Sequence, residues 1–295
     1  MKTKTAMITI AGRPNVGKST LTNYLVGEKI AIVSNKPQTT RNRICGIVTR
    51  GDTQFVFVDT PGYHRARTKL GDYMVNVARE SIADVDATIL VVEPIPSIGP
   101  QEEGLIEKIK GSRCPAILAI NKIDTVEKDK LLEVIAVYSQ TGVFDTIIPI
   151  SAKTGDGVEE LLKLCGKYAV ESPFLFDEEL TTDQPERQVM AEIIREKLLW
   201  NLDREIPHGT AVEITRFSER DSGIIDLDAT IYCEKASHKG IIIGKRGDML
   251  KKISTQARTD CEKFMGTKVY LTTWVKVKEN WRDSDFLVRN FGYND

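Results

Sequence analysis

The stretch "AGRPNVGKSTL" limits the fold more than any other feature of this 295-residue chain. It fits G-x-x-x-x-G-K-[ST] from Gly12 to Ser19, with the apolar run "AMITI" before it and a helical pattern after it. Such a loop works only where a strand delivers the chain to a helix N-terminus. Glycines let backbone N–H groups close around phosphate oxygens, and the helix dipole adds a favourable field. A strand–loop–helix unit of this kind calls for a parallel sheet covered by helices.

The rest of the first half supplies that sheet. The runs "ICGIVTR", "QFVFVDT", "ATILVVE", "AILAINK" and "TIIPISA" are rich in Val and Ile and bounded by turn residues, as buried strands are. Helical patterns at 19–26, 70–83, 101–110, 128–139 and 158–168 separate most of them. The runs on either side of Gly51-Asp52 leave no room for a helix and predict an antiparallel hairpin. Residues 1–170 therefore read as an α/β domain: a mostly parallel sheet, one antiparallel hairpin, helices on both faces. Residues 171–188, with Pro173, Pro185 and an acidic cluster, read as a linker. From 189 to 295 the pattern changes to a small α+β domain with a C-terminal tail. A helix with Met190, Ile193, Ile194 and Leu198 on one face comes first. The strands "AVEITRF" and "IIDLDATIYC" follow, then two helical segments, the second at 255–265. A last strand alternates Val269, Leu271, Thr273, Val275 and Val277. The order is αββααβ.

Composition excludes other classes. Hydrophobic residues make up 41% and charged residues 28%, a globular balance. No apolar run approaches the ~18 residues of a membrane-spanning helix, and the N-terminus lacks the longer apolar core of a signal peptide. A cytoplasmic protein is expected. Cys45, Cys114, Cys165, Cys233 and Cys261 are scattered, and no pair has metal-ligand spacing, so reduced thiols are expected.

The first glycine loop predicts a nucleotide site from Gly12 through Arg13, Pro14, Asn15, Val16, Gly17, Lys18 and Ser19 to Thr20. Lys18 reaches β- and γ-phosphates, and the Ser19 hydroxyl ligates Mg²⁺. Three more motifs fall at strand ends, where open α/β sheets bind ligands. In "DTPG", Asp59 holds Mg²⁺ through water, Thr60 and Pro61 follow, and the Gly62 N–H meets the γ-phosphate. In "NKID" (Asn121, Lys122, Ile123, Asp124), the Asp124 carboxylate accepts from guanine N1–H and the 2-amino group, which adenine lacks. In "SAK", Ser151, Ala152 and Lys153 back the base. Four motifs in order point to GTP rather than ATP.

The second glycine loop, "GIIIGKRG" from Gly240, does not repeat this chemistry. Three residues separate Gly240 from Gly244, and Arg246 follows Lys245 where Ser or Thr would be needed. It fits instead the G-x-x-G of a K-homology domain, with Gly244 and Gly247 letting the loop approach a nucleic-acid backbone and Lys245 and Arg246 meeting phosphate. Ile241, Ile242 and Ile243 are candidates for the groove floor or the core, and Lys239, Lys251, Lys252 and Arg258 extend the charged track. From Ala236 to Arg282 eleven Lys and Arg stand against four Asp and Glu, a net +7, while the whole chain is −1. That asymmetry points to a polyanion at this end. Trp281, Phe286, Phe291 and Tyr293 are read chiefly as packing residues.

These motifs, with "PQTTRNRI", "DTPGYH" and "LTTDQPER", resemble the Era family of translation-factor-like GTPases over nearly the whole chain. The resemblance implies a Mg²⁺-dependent GTPase that binds single-stranded RNA, the 3′ end of 16S ribosomal RNA, during assembly of the 30S subunit. It places the first switch at Thr39 and Thr40, with Thr40 the better Mg²⁺ ligand. It also allows K⁺ beside the phosphates at Asn15 and peripheral association with the inner face of the cell membrane. Lys18, Asn15 and Gly62 complete the catalytic and switch set. Ras-like enzymes place Gln directly after the DxxG glycine; here that position is Tyr63, followed by His64, so intrinsic hydrolysis is expected to be slow. We expect a monomer that binds no DNA. The alternatives are a GTPase coupled to another RNA or to cell-cycle or membrane signalling, a metabolic P-loop kinase, and a passive RNA-binding module.

Overall fold

The computed structural model describes residues 2–36, 38–62, 68–80 and 85–293. The chain divides into two units. One comprises Met1–Ala31, Thr40–Ala66 and Tyr73–Asp183, the other Ile32–Thr39, Arg67–Asp72 and Gln184–Asp295.

In the first unit, β1 (Lys4–Ala11), β2 (Ile44–Arg50), β3 (Thr53–Asp59), β4 (Ala87–Val92), β5 (Ala116–Ile120) and β6 (Thr146–Pro149) form a sheet in the order β2-β3-β1-β4-β5-β6. β1 runs parallel to β3 and β4, and β2 pairs antiparallel with β3 as the Gly51-Asp52 hairpin requires. Along β4 and β5 every residue is buried, as in sheets covered on both faces. The helices are α1 (Lys18–Val26), α2 (Lys69–Glu80), α3 (Pro100–Ser112), α4 (Lys128–Ser139) and α5 (Val158–Cys165). Leu21 and Leu25 of α1 and Leu161 of α5 pack with Ile8, Ile10 and Ile89. Leu105 and Ile109 of α3 and Val134 of α4 pack with Leu90 and Leu118. The predicted helix at 158–168 is α5 followed by a 3-10 turn, and the end of the pattern at 70–83 lies outside the described residues.

The reading of 171–188 as a linker requires correction. Its first part belongs to the first unit. β7 (Val170–Glu171) pairs antiparallel with Lys4 and Thr5 of β1. The buried Gln54 side chain accepts from the Leu175 and Phe176 N–H groups at 2.9 and 3.0 Å. Ile47 N–H donates to Thr181 O at 2.9 Å, and Gly46 bridges Thr182. The physical reason is the outer edge of β2, whose polar backbone needs partners. The last residues called linker, from Glu186 on, already form helix.

The second unit has the predicted order: α6 (Glu186–Asn201), β8 (Ala211–Glu219), β9 (Ile225–Cys233), α7 (Ala236–Ile243), α8 (Asp248–Met265) and β10 (Val269–Val277), then α9 (Asp285–Asn290). The sheet order is β10-β9-β8, with β9 parallel to β10 and antiparallel to β8. Ile193 and Leu198 of α6 and Ile253 and Ala257 of α8 cover Leu227, Ala229 and Ile231. α8 begins seven residues before the predicted 255, directly after the second glycine loop, because Gly247 in a left-handed conformation serves as its N-cap. Trp281 is fully buried, donates its indole N–H to Gly209 O at 2.9 Å and meets Phe291 edge-on, while Phe286 is exposed.

Candidate nucleotide site and nucleic-acid interface

The first glycine loop leaves β1 and opens α1. Gly17 has φ +103°, and a Cβ there would stand 2.2 Å from Asn121 Nδ2. Only glycine fits this corner without strain. Asn121 explains the crowding: its amide donates to Val16 O at 2.7 Å, and its Oδ1 accepts from Ala152 N–H at 2.8 Å. Asn121 is thus a brace between the first loop and the "SAK" loop. Val16 is likewise a core residue.

Lys18 is buried, and its ammonium donates to Gly12 O at 3.2 Å and Arg13 O at 3.0 Å. Burial lowers its pKa to about 8, opposed by the nearby Asp59. Asp59 is buried as well, and burial pushes its carboxyl up to about 6 against the pull of Lys18. Ser19 Oγ donates to Asp59 Oδ2 at 2.6 Å and lies 2.8 Å from Thr40 Oγ1. Asp59 Oδ1 is buried with no hydrogen-bond partner among the described residues. A hydroxyl pair and a carboxylate with an orphaned oxygen form a hard oxygen donor set, which fits Mg²⁺. The Thr39 hydroxyl donates to Lys36 O at 2.6 Å. Thr60 is buried with its hydroxyl on Ile10 O, Pro61 is buried, and Gly62 lies against Pro14. Tyr63 and His64 lie outside the described residues. Thr20 stands in the first turn of α1.

Lys122, with φ +64°, donates to Asn15 O at 2.8 Å and pairs with Glu93. Glu93 also pairs with Arg13 at 3.3 Å, and Arg13 pairs with the buried Glu102 of α3. Sequence reasoning missed both acids. The available signal was the position of Glu93, a charge directly after a buried strand. Asp124 is exposed, and its Oδ1 accepts from the buried Ser151 hydroxyl at 2.8 Å. That bond fixes the carboxylate. Lys153 is exposed beside it in sequence, Ala152 is buried, and Ile123 is half-buried with its N–H on Ile150 O. Of the two base motifs, Asp124 and Lys153 are exposed for contact, while Asn121, Ser151 and Ala152 hold the frame.

In the second unit, Gly244 ends α7 with φ +74° and ψ 178°. A Cβ there would stand 2.7 Å from Met249 Cβ and 2.9 Å from its backbone nitrogen. Lys245 and Arg246 are exposed at the tip, and Arg246 itself takes a left-handed φ of +54°. Lys251 and Lys252 are exposed on α8, and Lys239 is half-buried on α7. Arg258 is half-buried on the same helix, and its guanidinium donates to Glu262 at 2.8 Å, one turn further along α8. Of the three isoleucines, Ile242 is core, Ile243 packs against the core and Ile241 is exposed.

Both units have known relatives. Residues 7–122 match the family described as 50S ribosome-binding GTPase, and residues 205–282 match the KH domain. The chain is 52% identical to GTPase Era of Ruminiclostridium cellulolyticum, over 99% of this chain and 98% of that protein. It is also 52% identical to GTPase Era of Alkaliphilus oremlandii, over the full length of both. Two solved structures superpose with TM-score 0.94 at 36% identity, each covering 99% of this chain and 100% of the other. One is an Aquifex aeolicus Era variant bound to GDP and aluminium fluoride. The other is Era in complex with MgGDPNP and nucleotides 1506–1542 of 16S ribosomal RNA.

Proposed function

The chain belongs to the Era family of GTPases, and from that premise we propose that its GTP cycle governs binding of single-stranded RNA at the 3′ end of 16S ribosomal RNA during 30S subunit assembly. It binds and hydrolyses GTP with Mg²⁺. The observation that carries the RNA reading is the GKRG loop, two exposed cations between two left-handed or extended glycines at the mouth of α8. The Era complex with a 16S fragment supports the choice of RNA. Crosslinking to cellular RNA in GTP and GDP states tests it. The 3′ end of small-subunit RNA is expected to be enriched in the GTP state; no enrichment of ribosomal RNA overturns the assembly role.

In this reading the amides of the first loop and Lys18 hold the phosphates. Ser19, Thr40 and Asp59 hold Mg²⁺, which when bound draws charge from the β- and γ-phosphate oxygens. Asp124, oriented by Ser151, reads guanine. Gly62 at the end of "DTPG" senses the γ-phosphate. The working compartment is the cytoplasm; among the described residues no helix is long and apolar enough to cross a membrane.

Catalysis lacks a Gln after Gly62 to orient the attacking water, which leaves charge stabilisation at the first loop to carry more of the rate. Asn15 holds a left-handed backbone in the first loop, its carbonyl taken by Lys122. We place a K⁺ beside the phosphates at Asn15, in the manner of an arginine finger. Replacing Na⁺ by K⁺ is then expected to raise the turnover rate by roughly tenfold or more. An unchanged rate in a steady-state phosphate-release assay removes K⁺ from the mechanism.

A further inference from the structure

The first glycine loop is tied to the "NKID" loop at two adjacent carbonyls. Asn121 Nδ2 donates to Val16 O at 2.7 Å, and Lys122 Nζ donates to Asn15 O at 2.8 Å. The two ties differ in kind. Asn121 is buried, and its Oδ1 is held by the Ala152 N–H, so the core fixes its direction. Lys122 is half-buried and ends a flexible four-carbon stem, so it needs a partner to stay in one place. Glu93, directly after β4, is that partner. Its second carboxylate oxygen faces Arg13 of the loop at 3.3 Å, and Arg13 pairs with the buried Glu102 of α3. The row Glu102-Arg13-Glu93-Lys122 therefore alternates in charge. It runs from a buried carboxylate to the carbonyl of Asn15, and all of it lies within the first unit.

A carbonyl held in place aims more than itself. The peptide unit is planar, and in its trans form the N–H points opposite to the C=O. Asn15 O on Lys122 therefore sets the direction of the Val16 N–H. Val16 O on Asn121 does the same for the Gly17 N–H. In a loop of this type such amides close around the β-phosphate. Asn15 also has a φ of +66°, a backbone that persists in a non-glycine residue where surrounding contacts fix it.

We infer that Glu93 is a positioning residue for the β-phosphate. It holds the Lys122 ammonium on Asn15 O and so keeps the Val16 amide turned into the loop. Arg13 and Glu102 keep Glu93 itself in place. The carboxylate acts through Lys122 and not on the nucleotide. The inference rests on the reading that the amides of the first loop hold the phosphates. GDP and GTP share the β-phosphate, so the row serves both states of the cycle. It sets how long a nucleotide stays, while the choice of base is left to Asp124.

The test follows release of fluorescent GDP and of a fluorescent non-hydrolysable GTP analogue from the full chain with Mg²⁺. Glu93→Gln keeps the shape of the side chain and loses its charge. It is expected to speed release of both nucleotides roughly fivefold, the scale of a charged hydrogen bond discounted for a partly exposed pair. GMP lacks the β-phosphate, and its affinity, read by competition, is expected to stay within about twofold. Arg13→Lys keeps a cation for Glu102 but loses the fork that reaches both carboxylates. It is expected to shift release in the same direction by less, and it serves if Glu93→Gln does not fold. On a Lys122→Met background Glu93→Gln is expected to add nothing, because the residue it acts through is gone. Equal losses for GMP and GDP, a full effect on the Lys122→Met background, or unchanged release in both Glu93→Gln and Arg13→Lys overturn the inference. Lys18→Met separates the two levels. If GDP affinity survives it, the phosphate reading falls and takes this inference with it. If GDP affinity is lost there while the Glu93 and Arg13 variants release normally, only the role of Glu93 falls.

Discussion

Asp124→Asn is expected to lower affinity for GTP by roughly 10⁴-fold, the discrimination reached when a site built for hydrogen bonds meets a mismatched partner. Guanine offers two donors on one edge, N1–H and the 2-amino group, and the carboxylate offers two acceptors. An asparagine turns one acceptor into a donor and sets it against the 2-amino group. The Ser151 hydroxyl, 2.8 Å from Asp124 Oδ1, still has an oxygen to donate to, so the loop keeps its form. Xanthine carries a carbonyl where guanine carries the amino group, and that carbonyl accepts from the new amide. The variant is therefore expected to prefer XTP over GTP. Competition between the two nucleotides for a fluorescent analogue measures this directly. Unchanged GTP affinity would remove Asp124 from the base site.

Gly244→Asp is expected to weaken binding of a single-stranded oligonucleotide from the 16S 3′ end by roughly a hundredfold or more, while GDP affinity holds. Backbone at φ +74° and ψ 178° belongs almost to glycine alone. A side chain there meets Met249 Cβ at 2.7 Å, an atom close to the backbone that cannot swing aside. The introduced carboxylate also sits beside Lys245 and Arg246 and opposes phosphate. Fluorescence anisotropy reads the RNA affinity, and far-UV circular dichroism confirms that α8 remains folded. Wild-type RNA affinity in a folded variant would move the interface away from this loop.

Both loops were legible because spacing alone carries their chemistry. One extra residue between glycines and one hydroxyl separate a nucleotide site from a strand clamp. The alternation of strands and helices, the hairpin and the αββααβ sequence followed from periodicity. What the sequence hid were partners brought in from elsewhere in the chain. Asn121 reads as a base contact, since an amide can serve either end; only its distances to Val16 and Ala152 make it a brace. The Glu262 partner of Arg258 was likewise invisible, although it stands one turn away on the same helix. The helix after the GKRG loop starts earlier than the sequence pattern placed it, since a left-handed Gly247 caps it directly. Nothing local indicates that the three successive charges Arg195, Glu196 and Lys197 go inside.

The stretch between Val170 and Asp183 has a consequence for how this chain can vary. A true tether tolerates added or lost residues, since only its reach matters. This one is held at separate fixed points: Val170 and Glu171 on β1, Leu175 and Phe176 on the Gln54 side chain, Thr181 O on Ile47 N–H and the Asp183 carboxylate on Cys45 N–H. Inserting a single residue would pull the groups that follow it off these partners. Changes of length should therefore be accepted at the turn around Asp221 and Ser222, between two strands on exposed backbone, and refused in the acidic stretch that looks most permissive.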